Sequence, residues 1–413
     1  MMRNSEQMIA SIQNQDLQQA EDYFVRALAE DDEDVLLELG AYLESIGFLP
    51  HAKRLYEQLR DTYPEVNLNL AQIAVEDGDF ETAFLYLDAI DPSSDEYVNA
   101  LVVMADLYQM EGLADVAKGK LEQALALSNQ PLIRFGLAEM QMEVGDFTEA
   151  IANYAALDNR EILAATGVST YERIGRAYAH LGKFEAAIEF LEKAVDIEYD
   201  DYTVFELARL LFEQGDYQRA NLYFKQLETM NADVVGYHYY YAQSLHQEHR
   251  LEEALRVAQQ GLSRNAYDSQ LLLLASQLAY ENHDTDLSES YLLAAKDLAE
   301  DLEEVALRLS NLYVTRERYQ DVLSLASWDI DNVLTQWNIA KAYKALEQDE
   351  EALNAYQTIA KDLRQNPEFL QDYAYLLREF GQLDEAKQAA ETYLTLVPDD
   401  FNMQAFLEEL SLF

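Results

Sequence analysis

The sequence predicts an all-α fold, an α-solenoid of about twelve stacked helix-turn-helix repeats closed by a C-terminal capping helix. Three observations predict it. First, GDFETAFLYLDAI, GDFTEAIANYAAL, GKFEAAIEFLEKA, GDYQRANLYFKQL and GQLDEAKQAAETY share one form around Gly78, Gly145, Gly182, Gly215 and Gly381. In each, glycine is followed by a polar residue, a large apolar residue and, at the fifth place, alanine; self-similarity at a fixed period is the mark of a repeat array. Second, a small residue stands about seven places before each glycine, and large residues four before and three after it, such as Tyr171 and Tyr178, draw a helical-period apolar stripe. Third, no proline interrupts a predicted helix. Pro50 falls at the start of a second helix, and Pro64, Pro92, Pro131, Pro367 and Pro398 fall in turns between repeats, where no backbone donor is needed.

Taken in order, the units start near residues 1, 33, 64, 98, 131, 168, 201, 235, 268, 303, 333 and 367. The small position of the first helix reads Gly40, Ala71, Ala105, Ala138, Gly175, Ala208, Ala242, Ala275, Ser310, Ala340 and Ala374, with Met8 departing in the first unit. That of the second helix reads Ala20, Ala52, Ala83, Ala117, Ala150, Ala187, Ala220, Ala254, Leu287, Val322, Ala352 and Ala386. Small side chains here let paired helices approach where their axes cross. The turn glycine, also present as Gly47 and Gly112, can take the left-handed conformation that ends a helix. Asn282, Glu317 and Glu347 replace it in repeats nine to eleven.

The wide spacing between the fifth and sixth units leaves a loop at 158–168, DNREILAATGV, before a capping box formed by Ser169 and Glu172. It is read as a hinge between repeats 1–5 (residues 1–157) and repeats 6–12 (residues 169–398). Residues 399–413, DDFNMQAFLEELSLF, form one amphipathic helix after an aspartate cap; a solenoid needs such an element over its last repeat.

This unit resembles the tetratricopeptide repeat (TPR), and the resemblance covers nearly the whole chain. Unbroken repeats, acidity and length are similar to those of the long acidic TPR proteins of low-GC Gram-positive bacteria. The resemblance implies a right-handed superhelix whose concave face is lined by first helices and holds a peptide or partner segment at repeat positions 2, 5, 9, 12 and 13. Position 5 reads Leu37, Leu68, Val102, Phe135, Glu172, Phe205, Tyr239, Leu272, Leu307, Trp337 and Gln371; position 9 includes Asp106, Glu139, Arg176, Arg209, Gln243, Lys341 and Tyr375. The candidate groove residues are therefore Phe135, Arg176, Phe205, Arg209, Tyr239, Gln243, Trp337, Lys341, Lys344, Tyr375 and Arg378. Aromatic anchors concentrate binding energy. The basic residues, clustered as Arg176 with Arg209 and as Lys341, Lys344 and Arg378, suit a carboxylate, a phosphate or an acidic side chain. No repeat has the Lys at position 5 and Asn at position 9 with which chaperone-binding TPR proteins clamp a C-terminal carboxylate.

Composition excludes several function classes. The 413 residues carry 77 acids against 29 basic residues, a net charge of −48. The acids are spread through the chain, and such a field repels nucleic-acid backbones. With 49% hydrophobic residues, 28 Tyr and 16 Phe, the chain is far too apolar for an acidic disordered segment. There is no cysteine, hence no disulfide, Cys-ligated metal or thiol nucleophile. GxxxxGK[ST] is absent. His246 and His249, with His238 upstream, invite a metal site, but HQEH is not HExxH, and the histidines are read as solvated surface. In Tyr237–His238–Tyr239–Tyr240–Tyr241, Tyr241 takes a core position and Tyr239 a groove position. The acidic runs at 30–34 and 348–351 lack EF-hand spacing and fall in turns or at helix starts, where acids favour the dipole. The N-terminal MMRNSEQMIASIQNQ has no signal-like apolar core, and the longest apolar run, Leu271 to Ala275, is too short for a bilayer.

The expectation is a cytoplasmic, non-enzymatic protein-interaction scaffold. It would bind a peptide or protein segment in its groove without cofactor, nucleic acid or membrane insertion, and its acidic outer face would suit a basic partner. The alternative is a signalling-peptide receptor acting on a partner protein, marked by compaction on peptide binding.

Overall fold

The computed structural model describes residues 3–230 and 234–411, all of whose regular structure is helical. The first five pairs are α1 and α2 (Asn4–Gln13, Leu17–Glu30), α3 and α4 (Glu33–Ser45, Leu49–Leu59), α5 and α6 (Val66–Glu76, Phe80–Asp88), α7 and α8 (Tyr97–Met110, Ala114–Leu127), and α9 and α10 (Pro131–Val144, Phe147–Ala155). A single helix, α11 (Asn159–Thr166), precedes α12 and α13 (Thr170–His180, Phe184–Ile197). Then come α14 and α15 (Asp201–Glu213, Tyr217–Met230), α16 and α17 (Tyr237–Gln247, Leu251–Arg264), and α18 and α19 (Ser269–Glu281, Thr285–Ala295). The last pairs are α20 and α21 (Leu302–Thr315, Tyr319–Ser324, extended by a 3-10 turn at Leu325–Ser327), α22 and α23 (Val333–Ala345, Asp349–Ile359), and α24 and α25 (Pro367–Glu379, Leu383–Leu396). The capping helix is α26 (Phe401–Leu410). Met1, Met2, Leu412 and Phe413, the ends of the predicted first unit and cap, lie outside the described residues. The chain forms two compact units, residues 1–203 and 204–413, each a stack of helix pairs.

The turn inside each pair is uniform although its sequence is not. Every first helix ends at a residue with positive φ, glycine in seven repeats and Gln15, His249, His283, Glu317 or Glu347 in the others. The next backbone N–H donates back to the carbonyl five residues earlier, as in Asp79 to Ala74 at 2.8 Å and Asp284 to Ala279 at 2.9 Å. This is the Schellman closure, which satisfies carbonyls the helix leaves open. Two sequence expectations are corrected. In repeat nine the left-handed residue is His283, not Asn282, because one extra residue precedes the turn. The shift carries into α19, where Ser288, and not Leu287, is the small buried residue.

The small positions sit where the pair closes. A Cβ on Gly175 would lie 2.7 Å from Leu191 of α13, closer than real Cβ contacts allow. Four residues beyond the small position of the second helix, Tyr56, Tyr154 and Tyr356 are fully buried. Each donates its hydroxyl to a carboxylate on a first helix: Tyr56 to Glu44 (2.8 Å), Tyr154 to Glu139, and Tyr356 to Asp372 (3.4 Å). Burial and the facing carboxylate push all three phenol pKa values up, so each remains a donor and its polar end is matched rather than stranded.

The segment expected as a loop at 158–168 is helical. The Asp158 side chain accepts from the N–H of Arg160 and Glu161, Gly167 closes the end with φ 73°, and Ile162 is fully buried. The capping box does not form. Ser169 Oγ donates to Asn159 Oδ1 at 3.0 Å, and Glu172 turns to arginines instead.

Candidate functional site

Within each compact unit, repeat positions 2, 5, 9, 12 and 13 lie on the first helix of each pair or at its start, odd-numbered up to α9 and even-numbered from α12. Between α7 and α9 a cavity of about 490 Å³ opens. Asn99, Val102, Asp106 and Gln109, four of the five marked positions of repeat four, form one wall, and Leu132 and Glu139 stand opposite. Leu121 of α8 and Gly136 of α9 also line it.

Among the polar side chains at this cavity, Gln130 and Asp106 have no hydrogen bond among the described residues and the others are engaged. Glu139 accepts from Tyr154 and from Arg173 Nε at 2.8 Å, Gln109 donates to Glu143 at 3.1 Å, and Asn99 donates to Glu96 at 2.8 Å. Asp106 has no hydrogen bond or ion pair among the described residues. Water reaches it through the mouth, yet the crowding walls push its carboxyl pKa above the ordinary value.

Each unit has a further cavity beside its first helices. One of about 360 Å³, in the second unit, lies between α18 and α20, lined by Ser276 with Tyr280 and Asn311 at its exposed edge. The other, about 280 Å³, lies beside α11 and α12.

The structure disperses the candidate groove residues among different roles. Phe135 is half-buried against Tyr154, with ring centroids 5.9 Å apart. Arg176 is held by Glu172, which is 6% exposed and also pairs with Arg173 at 3.1 Å. Arg209 pairs with Glu213 on its own helix at 2.5 Å. Phe205 packs on Tyr240 with centroids 5.9 Å apart, and Tyr239 OH accepts from Gln243 at 2.8 Å. Trp337 is 6% exposed and belongs to the core, its ring 6.0 Å from Phe369, with the Lys341 ammonium 3.5 Å above its centroid. Lys341 and Lys344 pair with no carboxylate among the described residues. Tyr375 and Arg378 are taken by the cap: Tyr375 packs edge-on to Phe406 at 4.7 Å, and Arg378 lies over Phe406 and bonds Glu409 at 3.3 Å.

The histidines do not converge. His238 is buried against Tyr237, and burial pushes its pKa down to about 4. His246 pairs with Glu281 at 2.6 Å, and His249 occupies the left-handed turn position. No group of three or more His, Asp or Glu side chains among the described residues could hold a metal ion. No described helix is long and apolar enough to cross a membrane.

Sequence reasoning read Asp106 and Glu139 at position 9 but did not single them out, because it ranked residues by aromatic and basic type. The available signal was Gly136. Position 6 carries a side chain in every other repeat from the second to the twelfth, and in the fifth it is glycine.

Two family models match here: YpiA-like tetratricopeptide repeats over residues 109–162, and YpiA-like C-terminal tetratricopeptide repeats over residues 334–400. The TPR repeat-containing protein YpiA of Bacillus subtilis (strain 168) is 28% identical over 392 residues, covering 90% of this chain and 92% of that protein. The chain is a tetratricopeptide-repeat protein related to the YpiA-like bacterial proteins. Such a repeat array is a non-enzymatic scaffold for protein partners. A third model, anaphase-promoting complex, cyclosome, subunit 3, matches residues 178–261. Among solved structures, Naa15/Naa10 bound to HypK-THB is similar with a TM-score of 0.41 and 17% identity, covering 92% of this chain and 66% of that one. YrrB, described as a TPR protein with an unusual peptide-binding site, has a TM-score of 0.39 and 16% identity, covering 46% of this chain and 97% of that one.

Proposed function

We propose that this scaffold binds a peptide or an extended segment of a protein partner along its first-helix face. The observation that carries the reading is the cavity between α7 and α9, lined by positions 2, 5, 9 and 12 of one repeat and by positions 2 and 9 of the next. Concave, largely apolar sites with a few polar groups are where ligands gather. A second opening, between α18 and α20, takes in position 9 of two successive repeats, Ser276 and Asn311, and position 13, Tyr280. None of these cavities is lined by exposed apolar second-helix residues such as Leu85 and Leu222, so that surface supports the reading less well.

The test is selection of displayed random 12-residue peptides on the full chain, followed by affinity measurement against three variants. Leu132→Arg and Tyr280→Arg obstruct the two cavities at exposed rim positions, and Leu85→Arg makes the same change on α6. We expect the selected peptides to lose about tenfold or more in affinity for one of the cavity variants while Leu85→Arg binds as the parent does. Peptides that ignore both cavity variants would overturn the reading.

A further inference from the structure

We infer that the cavity between α7 and α9 is a socket for a basic side chain of the bound segment, an arginine or lysine whose charged head meets Asp106. This rests on the first-helix face being the binding face and names the chemistry of one of its subsites.

Three observations converge. The first is an unmatched charge. Asp106 is the carboxylate at the cavity that has no partner among the described residues, whereas Glu139 across from it is already met by Tyr154 and Arg173. Exposed at the cavity, this carboxylate is available to an entering cation, which would gain a charge-assisted hydrogen bond there. The second is shape. Val102, Leu132 and Met140 offer apolar walls, which suit the methylene stem of a long cationic side chain whose head reaches Asp106. The third is Gly136. A Cβ there would meet only Leu121, at 3.6 Å, so packing does not demand glycine; the missing side chain leaves the cavity open. The chain's net charge of −48 would also draw basic segments toward it. At this socket the segment is basic, and Arg176 and Arg209, held by Glu172 and Glu213, do not oppose it.

The probe is N-acetyl-arginine methylamide, with N-acetyl-norleucine methylamide as its uncharged counterpart. Met140 lines the cavity, so its methyl resonance in the full-length, methyl-13C-methionine-labelled chain reports occupancy locally, whatever the probe does elsewhere on an acidic surface. We expect the arginine probe to shift the Met140 signal saturably and the norleucine probe not to. Asp106→Asn should weaken the arginine probe about tenfold, the loss expected for one charge-assisted hydrogen-bonded contact. Glu122→Gln, an equal charge change on exposed α8, should leave it unchanged. Gly136→Leu should abolish the shift by filling the cavity while keeping the carboxylate.

An unmoved Met140 signal, equal response to both probes, or full affinity in Asp106→Asn would overturn the inference. The peptide selection separates this failure from failure of the face itself. Selected peptides that are lost on Leu132→Arg, yet carry no required Arg or Lys and tolerate Asp106→Asn, would leave the face standing and remove the socket.

Discussion

Repeats four and five and repeats eleven and twelve present the same face with opposite outcomes. On α22 and α24 the sequence places an aromatic and basic set, Trp337, Lys341, Tyr375 and Arg378, that looks made for a ligand. The protein uses most of it internally: Trp337 joins the core, Lys341 lies on Trp337, and Tyr375 and Arg378 hold α26. On α7 and α9 the same positions carry less conspicuous residues, and there a cavity with an unpaired carboxylate remains. A repeat register tells which side chains share a face. Whether they are free depends on what packs against them, and a chain end needs partners that a middle repeat does not.

The largest effect that would break this comparison is Trp337→Ala. A buried tryptophan in contact with Phe369 leaves a cavity when truncated, and the expected loss is about 3–5 kcal/mol, read as a lowered denaturation midpoint. Leu132→Ala, at an exposed rim position of the α7–α9 cavity, should change stability by less than about 0.5 kcal/mol. Equal small effects would return Trp337 to the surface and make the two regions alike.

Most of the fold was legible because it rests on local rules. Small residues at the crossing, a left-handed turn and prolines between repeats fix the twelve pairs, and the Schellman closure appears even where Gln15, His249, Glu317 or Glu347 stands in for glycine. Repeat nine was misread by one residue because its turn holds an insertion that the small–small spacing could not reveal without coordinates. The segment 158–168 looked like a loop because eight helical residues are too few to show an amphipathic period, although Asp158 and Gly167 mark both ends of α11. The site was less legible for a different reason. The pairing of Arg176 with Glu172 and the burial of Trp337 are tertiary facts, and in a chain with 77 acids an unpaired carboxylate at the α7–α9 cavity has no sequence signature beyond the nearby Gly136.

A smaller effect sharpens the comparison at the chain end. Arg378→Ala removes the ion pair to Glu409 and the contact over Phe406, together worth about 1 kcal/mol at an exposed site. Amide hydrogen exchange in α26 should quicken while that in α7 and α9 stays as it was. Unchanged exchange in α26 would mean that Arg378 is free to serve a ligand after all.

The smallest effect is a gain. The raised pKa of Asp106 means that the folded chain holds this proton more tightly than the unfolded chain does. Folding therefore loses stability as pH rises through the folded-state value, and at neutral pH the ionised carboxylate is a liability. Asp106→Asn removes it and should stabilise the free protein by a few tenths of a kcal/mol at pH 7, the modest size following from solvent access to the group. The advantage should shrink toward zero as pH falls well below the ordinary aspartate value, to about 3, where the carboxyl is protonated in both states. Paired denaturation curves at about pH 3 and pH 7 measure it. A variant less stable than the parent at pH 7 would show that Asp106 already has a partner within the protein, and the α7–α9 cavity would then be as self-satisfied as the face of α22 and α24.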